Sequence, residues 1–257
     1  MKRLIIVLPL WSILISYAAS GLAQNKSDED HRGLKRWSIS YCIGSTSSGP
    51  ASDIERGMKA GGFGDTLAGG LFGSGPVSHP FSTTGFGKTG VPSLFELHYL
   101  IKPFFSIGAI VSKSPIGETL GYHDPLCFLS IDYSVATYAP VFSVRASVLR
   151  LGIGPAWHTI TATRTDAGGV SPVKNVKKWG FLLDLGLSIP ENSRFFVELK
   201  VQYRSVGKIE IGPYESTFET EFVKASATFP RSKVSYNHSF YGIGIGFRVL
   251  KDKLDQP

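Results

Sequence analysis

The stretch His238-Ser-Phe-Tyr-Gly-Ile-Gly-Ile-Gly-Phe-Arg-Val-Leu250 alternates with a period of two. Tyr241, Ile243, Ile245, Phe247 and Val249 share one face, and Gly242, Gly244, Gly246 and Arg248 share the other. Successive side chains of a β-strand point to opposite faces, so this pattern describes a strand whose outer face needs no water. The same period recurs along the chain and points to a β-barrel that spans a membrane.

The first residues set the compartment. Lys2 and Arg3 precede an apolar run from Leu4 to Ile15, and Gly21-Leu22-Ala23 offers a cleavage site before Gln24. This is the layout of a secretory signal peptide, and the run is shorter than the ~20 residues a spanning helix needs. The expected organisation is a signal peptide over 1–23, a short periplasmic segment over 24–33, a barrel over 34–250 and a periplasmic tail over 251–257. No cysteine follows the cleavage site, so no lipid anchor is expected there. The formal charge of +7 falls by two when Lys2 and Arg3 leave with the signal. The remaining positive charge is dispersed, and with export it argues against nucleic acid as a partner.

Eight segments alternate for about ten residues each, the length of a tilted membrane strand. They are Leu34 to Gly44, Ser93 to Lys102, Phe104 to Ser112, Leu126 to Tyr138, Phe142 to Trp157, Lys178 to Ile189, Phe195 to Arg204, and the glycine strand. The fourth sets Leu129, Ile131, Tyr133 and Val135 outward against Ser130, Asp132 and Ser134. Lys102-Pro103-Phe104, Tyr138-Ala139-Pro140 and Pro190 to Arg194 read as tight turns. The fifth breaks phase: Phe142, Val144, Ala146 and Val148 share a face, whereas Leu149, Leu151 and Ile153 are apolar afterwards. A strict period would push Arg150 into lipid at ~2–4 kcal/mol, so a β-bulge near Val148 and Leu149 is expected to turn it inward.

Short turns follow the second, fourth and sixth segments, and long polar stretches follow the first, third, fifth and seventh. The expected fold is therefore all-β: an eight-stranded antiparallel up-and-down transmembrane β-barrel with four long extracellular loops and both termini in the periplasm. A soluble β-sandwich has no reason to sort its loops by length or to point Trp, Phe and Leu outward on every strand. Trp37 and Phe105 fall near periplasmic strand ends, and Trp179 and Tyr241 near extracellular ends, which are aromatic-girdle positions.

The signal peptide, strand count, loop alternation, Arg150-Leu-Gly-Ile-Gly-Pro155 and Gly242-Ile-Gly-Ile-Gly-Phe247 resemble the small eight-stranded outer-membrane barrels of the OmpA/OmpX type. The resemblance covers nearly the whole mature chain and implies residence in the bacterial outer membrane. In that family the last strand often ends the chain on an aromatic residue that assists insertion. Here Phe247 is followed by further residues through Pro257, so such a signal would be internal.

Side chains just fill the interior of an eight-stranded barrel. The inward positions carry Glu96, Asp132, Asp184 and Glu198 against Arg145, Arg150, Lys200, Arg204 and Arg248, with His98 and Gln202 adding hydrogen bonds. Each unpaired buried ion would cost several kcal/mol, so this near-balance reads as an ion-pair plug. Gly242, Gly244 and Gly246 would leave room for long side chains such as Arg204, or would serve geometry alone by relieving the strong coiling of a small barrel. Cys42 faces inward and Cys127 outward by alternation, so the two are read as unpaired thiols.

The long stretches are the candidate functional regions. In the first, about Ser45 to Val91, Ser52-Asp-Ile-Glu55 has the form of a capping box before a short helix to about Ala60, with Ile54 and Met58 one turn apart. That stripe fits packing on its own loop, or on the barrel rim. The remainder is rich in Gly and Ser and reads as mobile. Arg164, Lys174, Lys177 and Lys178 make the third loop basic, suited to an anionic outer leaflet. In the fourth, Lys208 to Ile211 and Phe218 to Ala227 read as extensions of the seventh and eighth strands.

A catalytic constellation at the extracellular end would need a His near a Ser or Asp. His123-Asp124 and Asn237-His238-Ser239 are the suggestive clusters, but neighbours on a strand face opposite ways, and Phe240 takes the third place of a His-x-Ser pattern. The six His show no metal-ligand spacing. The expected function is a non-enzymatic barrel with a structural or surface-binding role through its loops. The alternatives are a narrow pore for ions or small solutes and a lipid-modifying enzyme of the outer leaflet. Expected partners are outer-membrane lipid, lipopolysaccharide and an extracellular ligand at the loops; no cofactor is expected, and a monomer is.

Overall fold

The structure, a computed structural model, describes residues 37–47, 49–64, 66–67, 77–78, 91–102, 104–123, 127–166, 168–191, 193–219 and 224–249. The signal peptide, the 24–33 segment, nearly all of the glycine-rich stretch of the first loop and the 251–257 tail lie outside the described residues.

Eight antiparallel strands close into a single ring. They are β1 Trp37–Thr46, β2 Ser93–Lys102, β3 Phe105–Tyr122, β4 Phe128–Ala146, β5 Leu149–Asp166, β6 Gly169–Ile189, β7 Phe195–Ser205 and β8 His238–Val249. Each pairs with its sequence neighbour, and β1 closes the ring on β8, with Trp37 opposite Val249 and Ile43 opposite Ile243. Closure leaves no unpaired edge within the ring, as a strand in lipid requires.

The strands differ in length. β1, β2, β7 and β8 run for 10, 10, 11 and 12 residues, which suffices to cross a bilayer when tilted. β3 to β6 run for 18, 19, 18 and 21 residues and so stand well above it on one side. The second and third long stretches expected as polar loops are thus largely continuous β-ribbon, because their residues keep the two-residue period and the ladder simply continues.

Two boundaries in β4 and β5 correct the sequence reading. Tyr138-Ala139-Pro140 is not a turn: β4 passes through it, and the register on either side places Pro140 opposite Pro155. Two residues without an N–H face each other there, so the ladder bonds that both would have supplied are missing at one rung instead of two. The phase break at Val148 is likewise not a bulge. It is the hairpin itself: Arg145 pairs with Arg150 and Ala146 with Leu149, leaving Ser147-Val148 as a two-residue loop with Ser147 at φ 54. A reversal of chain direction inverts the apparent phase as an inserted residue would, and in both cases Arg150 ends up inside.

Above the membrane zone the interior is apolar. Ile116, Leu129, Ile131, Tyr133, Val135, Ile160 and Ala162 of the tall strands are buried against one another. The other side is closed by loops. Helix α1 (Ala51–Ala60) contributes Ala51, Ile54 and Met58, and the 206–236 region contributes Val206, Ile209, Ile211, Phe229, Val234 and Tyr236. That region forms two ribbons, Lys208–Ile211 with Ser232–Ser235 and Tyr214–Glu219 with Lys224–Phe229, instead of extending β7 and β8. Each large aliphatic so buried stabilises by ~1.5–3 kcal/mol relative to exposure.

Leu129, Ile131, Tyr133 and Val135 therefore face a protein core and not lipid, and the alternation puts Asp132 on the outside of the extension, not in the lumen. Cys127 belongs to the same core and is fully buried, where outward exposure was expected. The helix also departs from its expected start: Pro50 occupies the N-cap position with no side-chain cap hydrogen bond. Instead of capping, Asp53 Oδ2 accepts a hydrogen bond from the Ser235 backbone N–H at 3.0 Å, fastening α1 to the fourth loop.

Candidate functional site

Inside the ring, alternation brings the polar faces of all eight strands together, and the lumen is layered along its axis. The middle layer holds five ions. Arg150 Nη2 donates to Glu198 Oε1 at 2.9 Å and to Glu96 Oε2, with Asp184 Oδ2 3.6 Å away. Lys200 Nζ lies 2.7 Å from Glu96 Oε1, 2.9 Å from Asp184 Oδ2 and 3.3 Å from Glu198 Oε1. Gln202 Nε2 donates to Asp184 Oδ1 at 2.7 Å and to Glu96 Oε1 at 3.3 Å. Every one of these side chains is buried. Three carboxylates and two cations share hydrogen bonds in a low dielectric, where an ion without a partner would cost several kcal/mol.

Above this layer, Arg204 donates to Gln202 Oε1 at 2.7 Å and to Ser114 Oγ, and its Nη1 lies 3.4 Å from His238 Nε2. The Arg204 guanidinium also sits over the Phe240 ring at 5.4 Å. His158 Nδ1 and Thr137 Oγ1 share a hydrogen bond at 3.0 Å. An apolar group made of Cys42, Leu94, Ile110, Ala139, Val141, Ala156, Leu182 and Phe240 fills the rest of the lumen. Gly242, Gly244 and Gly246 are accounted for by this packing: a Cβ on them would strike Phe240, Cys42 and Phe196 respectively. The space they leave is thus taken by those three side chains and not by Arg204.

Towards the end with short turns, His98 Nε2 lies 3.4 Å from Glu96 Oε2 and its ring occupies the space over Gly108, where any Cβ would collide with it. Arg145 and Arg248 lie at this mouth, apart from the five-ion layer. Arg145 donates to the backbone carbonyls of Ser147 at 2.9 Å and Glu191 at 3.3 Å. Arg248 donates to those of Pro190 at 3.0 Å and Ser193 at 3.1 Å and stacks 4.0 Å over Phe196.

Of the residues read from the sequence, Glu96, Asp184, Glu198, Arg150, Lys200 and Gln202 thus meet in one network, with His98 below and Arg204 above. Asp132 is elsewhere. Ser114, Thr137 and His158 are not among the inward residues read from the sequence, and His238 and Phe240 enter that reading only through the catalytic pattern. Extending the alternation of β3 and β5 upward by one or two residues places Ser114 and His158 inside, and the existing alternation of β8 places Phe240 there, whereas Thr137 comes inside only when the phase of β4 is reversed.

Of the suggested catalytic clusters, His238-Ser239 does not assemble, and Asp124 of the other lies outside the described residues. His238 is buried and its Nδ1 lies 2.9 Å from the Tyr236 carbonyl, while Ser239 is turned to the other face, where its N–H donates to Ser47 Oγ at 2.9 Å. His123 Nδ1 lies 3.0 Å from the Gly62 carbonyl. Among the described residues no group of three or more His, Cys, Asp and Glu could hold a metal ion.

In the core above, burial pushes the Tyr133 phenol up to about 12, against a 3.2 Å hydrogen bond with Thr119 Oγ1 that favours its ionised form. Burial raises Tyr236 as well, and the two rings meet edge to face at 6.5 Å.

The outer wall is the reverse of the lumen. Ile43, Phe95, Ile107, Val111, Phe142, Ile153, Phe181, Leu199 and Ile245 are exposed around the ring. Aromatic pairs border this belt, Trp157 with Trp179 at 4.1 Å on one side and Trp37 with Tyr99 at 4.7 Å and Phe195 with Phe247 at 5.2 Å on the other. A continuous apolar band between two aromatic girdles on a closed ring is the surface of a barrel in lipid. The chain is a membrane-spanning β-barrel of the outer-membrane type.

No family model matches the chain, and no curated protein does. Among solved structures it is similar to the outer membrane protein OprG from Pseudomonas aeruginosa, with 11% identity over 86% of this chain and 100% of that one and a TM-score of 0.43. It is also similar to the outer membrane protein AlkL, with 11% identity over 87% and 94% and a TM-score of 0.41. A third is Ail, the attachment invasion locus protein of Yersinia pestis, with 13% identity over 83% and 97% and a TM-score of 0.34.

Proposed function

We propose that this barrel is a sealed, non-enzymatic outer-membrane protein whose work is done at its extracellular surface, as a binding or shielding platform. The observation that carries the reading is the apolar core above the membrane, in which α1, the tall strands and the fourth-loop ribbons pack together. That core lies over a lumen already occupied by the Glu96, Asp184, Glu198, Arg150 and Lys200 network. A conducting pathway would have to open two independent barriers, one ionic and one dry. A platform, by contrast, gains from both, because a surface held by a packed core loses less conformational entropy on binding.

Planar-bilayer recordings of the purified barrel, paired with amide hydrogen exchange, test the proposal. It expects no conductance steps above background, and protection of Leu129–Val135 and Ile209–Ile211 comparable with that of the membrane strands. Regular ohmic steps would favour a pore instead. Exchange of the upper residues at loop rates would remove the platform.

A further inference from the structure

Beyond the sealed lumen, a cavity opens at the periplasmic end. Ser38 of β1, His98 and Leu100 of β2, Ser106 of β3, Arg145 of β4, Arg150 of β5, Ser188 of β6, Phe196 of β7 and Arg248 of β8 line it, so every strand of the ring contributes. The cavity is small, ≈ 30 Å³, and opens at the mouth.

Its charge is one-sided. Three guanidinium groups border it, and only Arg150 has carboxylate partners, all in the network above. Arg145 and Arg248 are held by backbone carbonyls, and among the described residues neither has a carboxylate within ion-pair distance. Glu191 is the acid at this rim, and its Oε2 accepts a hydrogen bond from Ser147 Oγ at 2.8 Å. Inside the cavity, Arg150 Nε and His98 Nδ1 are buried with no hydrogen-bond partner, and the Ser106 and Ser188 side chains are buried beside them.

Two cations hydrogen-bonded to backbone carbonyls, on which Glu191 and Glu198 act only through space, stand beside unpaired donors in a partly desolvated cup and can still take an anion. Guanidinium forks match the oxygens of a phosphate and hold it through charge-assisted hydrogen bonds, and hydroxyls at the wall complete its shell. We propose that this vestibule binds a phosphate group at the periplasmic mouth, with Arg145 and Arg248 as its primary cations and Arg150, Ser106 and Ser188 at its floor. The group would come either from a soluble phosphate or from a phospholipid headgroup of the inner leaflet, which lies at the same height.

The test uses the full mature chain, folded in a phosphorus-free detergent and checked for heat-modifiable gel mobility. Titration with inorganic phosphate, followed by calorimetry and ³¹P line broadening, should show saturable binding. Arg145→Gln and Arg248→Gln should each weaken it about tenfold, the loss of one charge-assisted hydrogen bond. Because Arg248 also braces the Pro190–Ser193 turn, Ser106→Leu provides a second route: it fills the cavity without touching a charge and should abolish binding.

Native mass spectrometry of barrel extracted from membranes separates the sources. Retained phospholipid that is lost in Arg145→Gln and displaced by phosphate assigns the headgroup, whereas phosphate binding without retained lipid assigns the soluble ligand. Binding of neither, or binding that all three variants leave unchanged, overturns the proposal.

Discussion

Lys200 and Glu96 meet at 2.7 Å although β7 and β2, which carry them, are separated by β8 and β1 around the ring. The contact therefore reaches across the lumen, and Asp184, Glu198 and Arg150 complete it from β6, β7 and β5. An ion bridge of this kind ties strands that share no ladder, so its removal is felt by the whole ring.

Lys200→Met should consequently destabilise the barrel by about 3–5 kcal/mol, because it leaves three buried carboxylates to the single charge of Arg150 and the neutral amide of Gln202. Glu96→Gln combined with Lys200→Met should be closer to the parent than either single change suggests, since one ion of each sign is removed together. Urea unfolding in detergent micelles, read by tryptophan fluorescence, measures both. Additive losses would mean that the two residues are not coupled.

The Ser147-Val148 hairpin makes a second, local prediction. Ser147 has φ 54, a left-handed conformation at the first central position of a two-residue loop, where glycine is favoured. Ser147→Gly should stabilise by about 0.5–1 kcal/mol, offset slightly by the lost exposed hydrogen bond to Glu191. Ser147→Val should destabilise, since a β-branched residue resists positive φ. A bulge at this place would reward neither change, so the unfolding midpoints of the two variants separate the alternatives.

Cys42 and Cys127 are buried and not joined in a disulfide, the first in the lumen and the second in the upper core against Ser216. Maleimide should modify neither in the folded barrel and both after denaturation without reductant. A mass two hydrogens lighter, with no labelling in denaturant, would show a disulfide.

Much of the barrel could be read from alternation, and the misreadings share a cause. The period of two states which residues share a face and not what that face meets. Phe181 to Ile189 and Leu129 to Val135 have the same pattern, yet the first meets lipid and the second a protein core. Height decides between them: Tyr138 lies opposite Trp157, which stacks with Trp179 at the girdle, so everything in β4 before Tyr138 stands above the membrane. That height depends on register between strands, which one segment cannot reveal. A turn and a bulge shift phase alike, so Arg150 reads as inward with either. Pro140 reads as a turn because proline rarely sits within a sheet, and the Pro155 it faces lies on another strand. The network's members were visible as inward charges, but their pairing across the lumen follows only from closure.

Tyr133 supplies a pH dependence. Its phenol is held near 12 when folded against about 10 when unfolded, so the folded state keeps the proton longer. The corresponding stability is fully present below about pH 10 and is lost as pH rises through about 12. Absorbance at the tyrosinate band should show Tyr133 ionising in a late phase together with loss of near-ultraviolet dichroism from the upper core. Tyr133→Phe should remove one tyrosine from that late phase; removal from the early phase would place the phenol in water.

Helix α1 gives the most direct test of how the two cores are connected. Ile54 and Met58 are fully buried in the upper core, while the lumenal apolar group contains neither, and the ion layer is supported by β2, β5, β6 and β7 without the helix. Ile54→Ala removes packing worth about 2–4 kcal/mol from the upper core alone, and Ile54→Asp adds an ion with no buried partner. Both should loosen the Lys208–Ser235 ribbons, which α1 holds through the Asp53 to Ser235 hydrogen bond and through Gly57, where a Cβ would strike the Phe229 ring. Limited proteolysis should then cut within 206–236 at rates that rise from parent to Ile54→Ala to Ile54→Asp. The heat-modifiable mobility of the barrel should stay unchanged, because its ring, its lipid-facing belt and its ion bridge are intact. Loss of that mobility in Ile54→Ala would show that the two cores unfold as one unit, and unchanged proteolysis in Ile54→Asp would remove α1 as the seal of the extracellular end.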